Sequence, residues 1–364
     1  MKITRVEPIL VALPYEHGGP KPMQAGGTWA TMDTLFVRVE TDAGIVGWGE
    51  AFGFAACPVT MAALTRVVGP LCIGKDPDDI AAVMAELGRK VHNMGGNGPL
   101  GFALSGIDIA LWDIKGKVAG QPLYRLLGGA HRDQVPAYAS LLRYGAADLV
   151  ARNTEAALAQ GYGRVKLHET APETVAAARR AGGAALPLMV DTNCAWDRDA
   201  AVAMARRLAE FDLAWLEEPV APPNDFDALA QVRRESGVTI AAGENLGNVI
   251  DAAVMAAKGA VDLTQPSVTK IGGVSALLKV IAMARGFSLK VAPHSPYFGP
   301  GLVATIHVIA ALGEGMVCER FYVTLGASPL GDAVDATAGA MRVPQGPGLG
   351  VGVDERVLAR YRVE

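Results

Sequence analysis

Three stretches decide the fold: 187-PLMVDTN-193, 213-LAWLEEP-219 and 238-VTIAAGEN-245. Each runs from apolar residues into an acidic one and then into Asn or Pro, and the gaps at 200–210 and 226–235 carry Ala/Leu/Arg/Glu-rich helical pattern. Apolar runs alternating with helices signal parallel strands joined by crossovers. Outward from these stretches the same unit recurs, with eight candidate strands at 135–141, 164–168, 187–193, 213–219, 238–245, 261–268, 289–295 and 317–321. Further helical pattern fills 249–258 and 274–285. Eight strand–helix units predict an α/β fold closed into a modified TIM barrel.

A polar residue stands at or near the C-terminal end of most of these strands: Lys166, Asp191, Glu217, Glu244, Ser267, His294 and Glu319, at steps of 25, 26, 27, 23, 27 and 25 residues. One strand–helix unit fits each step. In a barrel those ends converge on one mouth, where active sites of such folds lie.

The first 125 residues break the rhythm. Residues 33–50 read as two strands around a turn at Asp42-Ala43-Gly44, a further strand lies near 3–13, and helical periodicity covers 58–90 and 98–119. The expected division is an α+β capping domain at 1–125, a barrel at 126–325, and a segment at 326–364 that returns to the cap. Residues 14–30 hold Gly18, Gly19, Gly26 and Gly27 among three prolines, a composition suited to a surface loop covering the mouth.

With 51% hydrophobic residues in 364, the chain can build a large core, and 33 Lys+Arg against 37 Asp+Glu leave a net charge of −4 with no run of either sign. Nucleic-acid binding is disfavoured on that ground. Lys2, Arg5 and Glu7 interrupt the N-terminus where a secretory signal is apolar, and the apolar stretch at 299–313 falls short of the ~20 residues that span a bilayer. The four cysteines, Cys57, Cys72, Cys194 and Cys318, are scattered without a CxxC pair. These features predict a soluble, cytoplasmic protein with reduced thiols and no membrane partner.

Asp191, Glu217 and Glu244 end consecutive strands, which in a sheet lie ~4.8 Å apart, so the three anions reach a common point and repel unless neutralised. All-oxygen ligation selects a hard divalent ion, Mg²⁺ before Mn²⁺; the alternative is pairing of each with a rim Lys or Arg. Strand alternation turns Glu218 away from Glu217, leaving Glu217 as the ligand. Asn193 and Asn245 are candidate donors to substrate or to the ligands. Lys166 and His168, two apart, share the inward face, and His294 comes from the seventh strand across the barrel, so a candidate base stands on each side of a bound substrate. His17, His92, His131 and His307 read as structural. Tyr15, Tyr297 and Phe298 shape the pocket or pack the core. The constellation suits removal of a proton α to a carboxylate, with a cation and hydrogen-bond donors holding the resulting intermediate.

With these residues in place, the sequence resembles the enolase superfamily, in its mandelate racemase/muconate lactonizing enzyme branch, over essentially its full length. The resemblance rests on SGIDIALWDIKGK (105–117), KxH (166–168), DTN (191–193), EEP (217–219), GEN (243–245), KIGG (270–273) and PHSP (293–296). It implies a (β/α)7β barrel with an α+β cap, Mg²⁺ on Asp191, Glu217 and Glu244, and a homo-oligomer. A Lys or His base working beside Mg²⁺ is general to that superfamily. Glu as the third ligand and a His on the seventh strand point to the mandelate racemase-like subgroup.

Two departures from that subgroup stand out. Its second strand commonly carries KxK, whereas here the base position is His168, so the base is His168 or Lys166. Its seventh-strand His pairs with an Asp on the sixth strand, and that position is Ser267, which makes His294 a better acid than base. Lys270 in KIGG matches a lysine outside the base position and is a candidate substrate contact with Asn193 and Ser267. Glu319 matches a residue that helps to polarise the substrate carboxylate, a role requiring a protonated carboxyl and therefore a raised pKa. The expected activity is dehydration of a small hydroxy-carboxylate, a sugar acid. Racemisation or epimerisation, cycloisomerisation, a metal-free glycosidase using Glu217 and Glu244, and a silent binding homologue are the alternatives.

Overall fold

The computed structural model describes residues 1–24, 26–129 and 132–363, with Gln24 described by its backbone only; His131 lies outside the described residues. Eight parallel strands form the barrel: Gln134–Leu141, Val165–Leu167, Leu188–Asp191, Trp215–Glu217, Ile240–Ala242, Leu263–Thr264, Lys290–Val291 and Cys318–Phe321. Neighbours pair in sequence order, and the eighth closes on the first through Glu319 opposite Tyr138. Between the seventh and eighth strands a side chain spans the seam: the Ser295 hydroxyl accepts from the Glu319 N–H and donates to the Glu319 carbonyl, both at 3.1 Å.

The strands are shorter than the apolar runs that announce them. DTN, EEP and GEN leave the ladder at once, with positive φ at Asn193 (48°), Glu218 (44°) and Gly243 (133°). These turns lift the following side chains over the mouth. The barrel interior below is plugged by Tyr138, Met189, Trp215, Ala241, Leu263 and Ala292, contributed by six of the eight strand units.

The outer helices follow from capping and amphipathicity. Asp197, Asp225 and Asn248 accept from the N–H groups of Ala200, Ala228 and Asp251 at 2.9–3.0 Å and open three consecutive helices. Arg206, Arg207, Arg233 and Arg234 lie in the last turns of the first two, where they favour the negative end of the helix dipole. Ala201, Val202, Ala205 and Leu208 then form the face buried on the sheet.

The cap is an antiparallel sheet of Ile3–Glu16, Thr31–Thr41 and Val46–Ala51 crossed by the helix Pro99–Ala119. Gly49 lets this helix approach, since a Cβ there would stand 1.9 Å from the Gly106 carbonyl oxygen. The helical run Phe54–Cys72 has the length and hydropathy of a membrane span, and it packs Leu64, Val68 and Cys72 into the cap core.

Two expectations are modified. Residues 14–30 are not all loop: the first strand continues to Glu16, with Tyr15 opposite Leu325, and Tyr15 is buried with its hydroxyl donating to the Trp29 carbonyl at 2.7 Å. A two-residue hairpin, Met23–Gln24 with Gly27–Thr28, follows. The segment 326–364 divides its contacts: Ala340–Arg342 pairs with the first barrel strand, while the Val363 N–H reaches the Leu10 carbonyl in the cap.

The SGIDIALWDIKGK helix joins all three parts. Ser105 Oγ accepts from the Gly272 N–H at 2.9 Å, Asp108 Oδ1 from the Ser275 N–H at 3.0 Å, and Asp113 from the Trp48 and Leu349 N–H groups at 2.9 and 2.8 Å.

Candidate active site

At the barrel mouth, beneath the cap, lies a cavity of about 440 Å³. His168, Asn193, Glu244, Asn245, Lys270 and His294 line it on the barrel side. Lys166, Asp191, Glu217, Ser267 and Glu319 lie behind its wall, each at 0–1% exposure.

Oxygen atoms of Asp191, Glu217 and Glu244 lie within 4.8 Å of one another, close enough to share one ion. The donor set is all oxygen, and around it stand five buried carboxylates, those of Asp191, Glu217, Glu218, Glu244 and Glu319, against two lysines, Lys166 and Lys270. Burial, with Asp191 and Glu319 beside it, pushes the Glu217 carboxyl well above the usual carboxylate range despite Lys166. That excess of anion is what a divalent cation relieves, so the residues fit a hard metal ion.

Asp191 is held in place from three sides. The Asn193 backbone N–H and side-chain Nδ2 donate to its Oδ1 at 2.9 and 3.0 Å, and His168 Nε2 stands 3.3 Å from its Oδ2. Burial works against its charge, but Lys166 and His168 hold its carboxyl below the ordinary value. The Trp215 indole N–H fixes Glu217 Oε2 at 2.9 Å. Glu244 receives Lys270 Nζ at 3.1 Å and His294 Nε2 at 2.8 Å. Glu218 turns aside to Asn245, whose amide donates to it at 2.9 Å, so its separation from Glu217 follows the strand alternation.

The structure separates the two residues of KxH. Lys166 Nζ is enclosed, 2.7 Å from Glu319, 2.8 Å from Glu217 and 3.2 Å from Asp191. Burial disfavours its charge, yet those carboxylates raise its pKa well above the ordinary lysine value. In this structure it is a buried counter-ion. His168 opens on the cavity instead. Its Nδ1 sits 2.6 Å from the Leu141 carbonyl, which can only accept, so Nδ1 carries a proton and Nε2 is the nitrogen turned toward the site.

The expectation for Glu319 is corrected. Burial favours its neutral form, but Lys166 and His294 outweigh this and lower its pKa, so the expected raised value is not found. Its Oε1 accepts from Ser140 Oγ at 2.8 Å and its Oε2 from the Ser295 N–H at 3.3 Å. Ser267, expected at the substrate, is enclosed and hydrogen-bonds to the Tyr297 hydroxyl. Tyr297 Oη in turn lies 3.1 Å from His294 Nδ1. The place of a carboxylate partner for His294 is thus taken by a chain of two hydroxyls.

Sequence reasoning missed Arg143 and Phe321; Trp29 lies in the 14–30 segment expected to cover the mouth, and Phe52 and Phe54 join it from the cap. Arg143 follows the first strand by two residues, and extending the rim series to that strand would have found it. Its Nε donates to the His168 carbonyl at 2.6 Å. Phe298 packs away from the mouth, with the Arg320 guanidinium 4.6 Å from its ring.

Comparison with known proteins gives three results. Residues 11–128 match the family described as "Mandelate racemase / muconate lactonizing enzyme, N-terminal domain", and residues 148–357 match "Enolase C-terminal domain-like". The chain is 32% identical to the D-gluconate dehydratase of Thermoproteus tenax, across 100% of this chain and 74% of that protein. It is 31% identical to the D-galactarolactone cycloisomerase of Agrobacterium fabrum, across 100% and 99%. The crystal structure of a racemase from Streptomyces coelicolor A3(2) with bound magnesium superposes with a TM-score of 0.88 at 29% identity, covering 99% of this chain and 100% of that one.

Proposed function

The chain belongs to the mandelate racemase/muconate lactonizing enzyme family of the enolase superfamily, and from that premise we propose that it removes the α-proton of a small hydroxy-carboxylate and dehydrates it, as a sugar-acid dehydratase. The observation that carries the reading is the split between Lys166 and His168, one locked among three carboxylates and the other lining the cavity with its Nε2 turned toward the site.

Asp191, Glu217 and Glu244 would hold Mg²⁺, or Mn²⁺ in its place, and the ion would supply positive charge that makes the α-proton of a carboxylate more acidic. The chain's own residues then divide the work. His168 Nε2 takes the proton from the α-carbon, and the Leu141 carbonyl keeps its ring in the required tautomer. Lys166 stays protonated and offsets the anions behind the wall. Lys270, beside Glu244 and Asn245, orients donors toward the substrate carboxylate. His294 faces the site from the seventh strand and gives a proton to the departing β-hydroxyl. The α C–H and β C–O bonds break, water leaves, and the enol product tautomerises to a 2-keto-3-deoxy acid. Tyr297 and Ser267 orient the His294 ring without adding an anion. The four free thiols fit a reducing compartment, the cytoplasm.

A second reading has its own support. His168 and His294 line one cavity, so two bases could act in turn, giving epimerisation or cycloisomerisation, and the likeness to a cycloisomerase favours the latter. Proton NMR of Mg²⁺-loaded protein in D₂O with aldonic and aldaric acids separates the two. A 2-keto-3-deoxy product is expected; deuterium entering the α-carbon without elimination would replace dehydration by reversible proton transfer. Full activity after EDTA treatment would remove both readings.

A further inference from the structure

Trp29, Phe52, Phe54 and Phe321 line the cavity, and with the buried Tyr297 they form an arc of aromatic rings running from one candidate catalytic imidazole to the other. From His294 it passes to Tyr297 at 5.7 Å between ring centroids, then to Phe52 at 6.4 Å and Phe54 at 4.8 Å. From Phe54 it continues to Trp29 at 5.1 Å, Phe321 at 5.8 Å and finally His168 at 6.0 Å. Every successive pair is steeply inclined, at 60–81°, the edge-to-face arrangement in which aromatic quadrupoles attract. The rings therefore brace one another, and Trp29, Phe52 and Phe54 come from the cap while Tyr297 and Phe321 come from the barrel.

Between the two imidazoles the rings of the arc carry no formal charge. Among the described residues, the lysine and arginine lining the cavity are Lys270 and Arg143, and both are tied to the barrel side. Lys270 Nζ lies on Glu244 and Asn245 at 3.1 and 3.2 Å, with the Phe52 ring 4.2 Å away. Arg143 is bonded to the His168 carbonyl. An anion pressed against the Trp29, Phe54 and Phe321 rings would lose hydration with no formal charge in those rings to offset it. A C–H-rich, uncharged group would pack there favourably.

We infer that the substrate is a monocarboxylate: its one carboxylate lies on the Asp191, Glu217 and Glu244 side, and its far end, uncharged, lies against the Trp29–Phe54–Phe321 arc. The inference rests on the proposed function and sharpens it, selecting aldonic over aldaric acids. D-gluconate and D-glucarate differ only in whether the far carbon is a hydroxymethyl or a carboxylate, and D-galactonate and galactarate form a second such pair.

The test is calorimetric binding of all four acids to the Mg²⁺-loaded protein, alongside α-proton exchange in D₂O. Each monoacid, or at least one, should outcompete its diacid by about 100-fold or more in affinity. Diacid binding equal to or tighter than the monoacid overturns the inference whether or not turnover occurs. Monoacid-selective binding with no exchange leaves the inference standing and sinks the catalytic reading instead. No binding of any of the four overturns both. Trp29→Arg, which sets a cation in the arc, should narrow the monoacid-to-diacid ratio about tenfold, while Trp29→Phe should keep it. An unchanged ratio in Trp29→Arg, with melting temperature retained, would move the far end away from the arc and overturn the assignment.

Discussion

Buried carboxylates occur in two regions of this protein and are stabilised in opposite ways. At the mouth, Lys166 lies within 3.2 Å of Asp191, Glu217 and Glu319, and the carboxyls of Asp191 and Glu319 are held below their ordinary range although burial opposes it. At the seam between cap and barrel, Glu50 and Asp108 meet backbone N–H groups instead, at Gly301 (2.7 Å) and Ser275 (3.0 Å). Burial wins there, pushing Glu50 up to about 8 and Asp108 up to about 7. At the mouth the balance of neighbours decides: Lys166 keeps Asp191 and Glu319 low, yet Glu217, with both of those carboxylates beside it, is still pushed well above the usual range, while at the seam a peptide dipole alone does not hold the anion.

The contrast breaks most severely at the proposed metal ligands. Glu217→Gln should abolish Mg²⁺ binding and turnover while the protein still folds, checked by calorimetric metal titration together with circular dichroism. His168→Asn should lower kcat by about 10²–10⁴ and leave metal affinity intact, because proton transfer is lost but the ligands are not. If Lys166→Ala proved far worse than a silent His168→Asn, Lys166 would be the base after all. Tyr297→Phe should lower kcat by about tenfold through loss of the hydroxyl that orients His294, with a smaller change in KM, and steady-state kinetics would show it.

The seam predicts the reverse pattern, in stability with catalysis spared. Glu50 binds its proton more tightly folded than unfolded, so between about pH 4.5 and 8 the folded state holds a proton that the unfolded state has released. Its contribution is therefore complete at low pH and lost as pH rises through that window, up to a few kcal/mol in all. Glu50→Gln should flatten the corresponding fall in melting temperature between pH 5 and 8.5. An identical slope in wild type and variant would assign the pH dependence elsewhere.

Local signals carried far in this chain. All eight strands stand where apolar runs place them, and Asn248, Asp197 and Asp225 cap helices that the periodicity announces. Asp191, Glu217 and Glu244 converge because consecutive strand ends in a barrel must be neighbours. Arg143 left no comparable mark, and for Trp29, Phe52 and Phe54 only the segment, not the side chain, was legible. They lie on loops or on the cap, and their approach to the mouth depends on how one domain docks on the other, which no periodicity encodes. Tyr297 was visible in PHSPYFGPG, yet its use hinges on Ser267, 30 residues away on the neighbouring strand.

The sequence by itself determined the barrel, its cap and the trio of carboxylates, because strand spacing and alternation are properties of the chain's own period. It also placed Lys166 and His168 on one face. Only the tertiary structure decided between them: two residues along a strand is ~6.6 Å of depth, enough to take one side chain from the enclosed charge cluster to the open cavity. It likewise decided that Glu319 meets Lys166 and that aromatic rings from cap and barrel meet around the cavity. Depth, dielectric and countercharge are set by what closes around a residue, and those neighbours come from strands and domains far away in the chain.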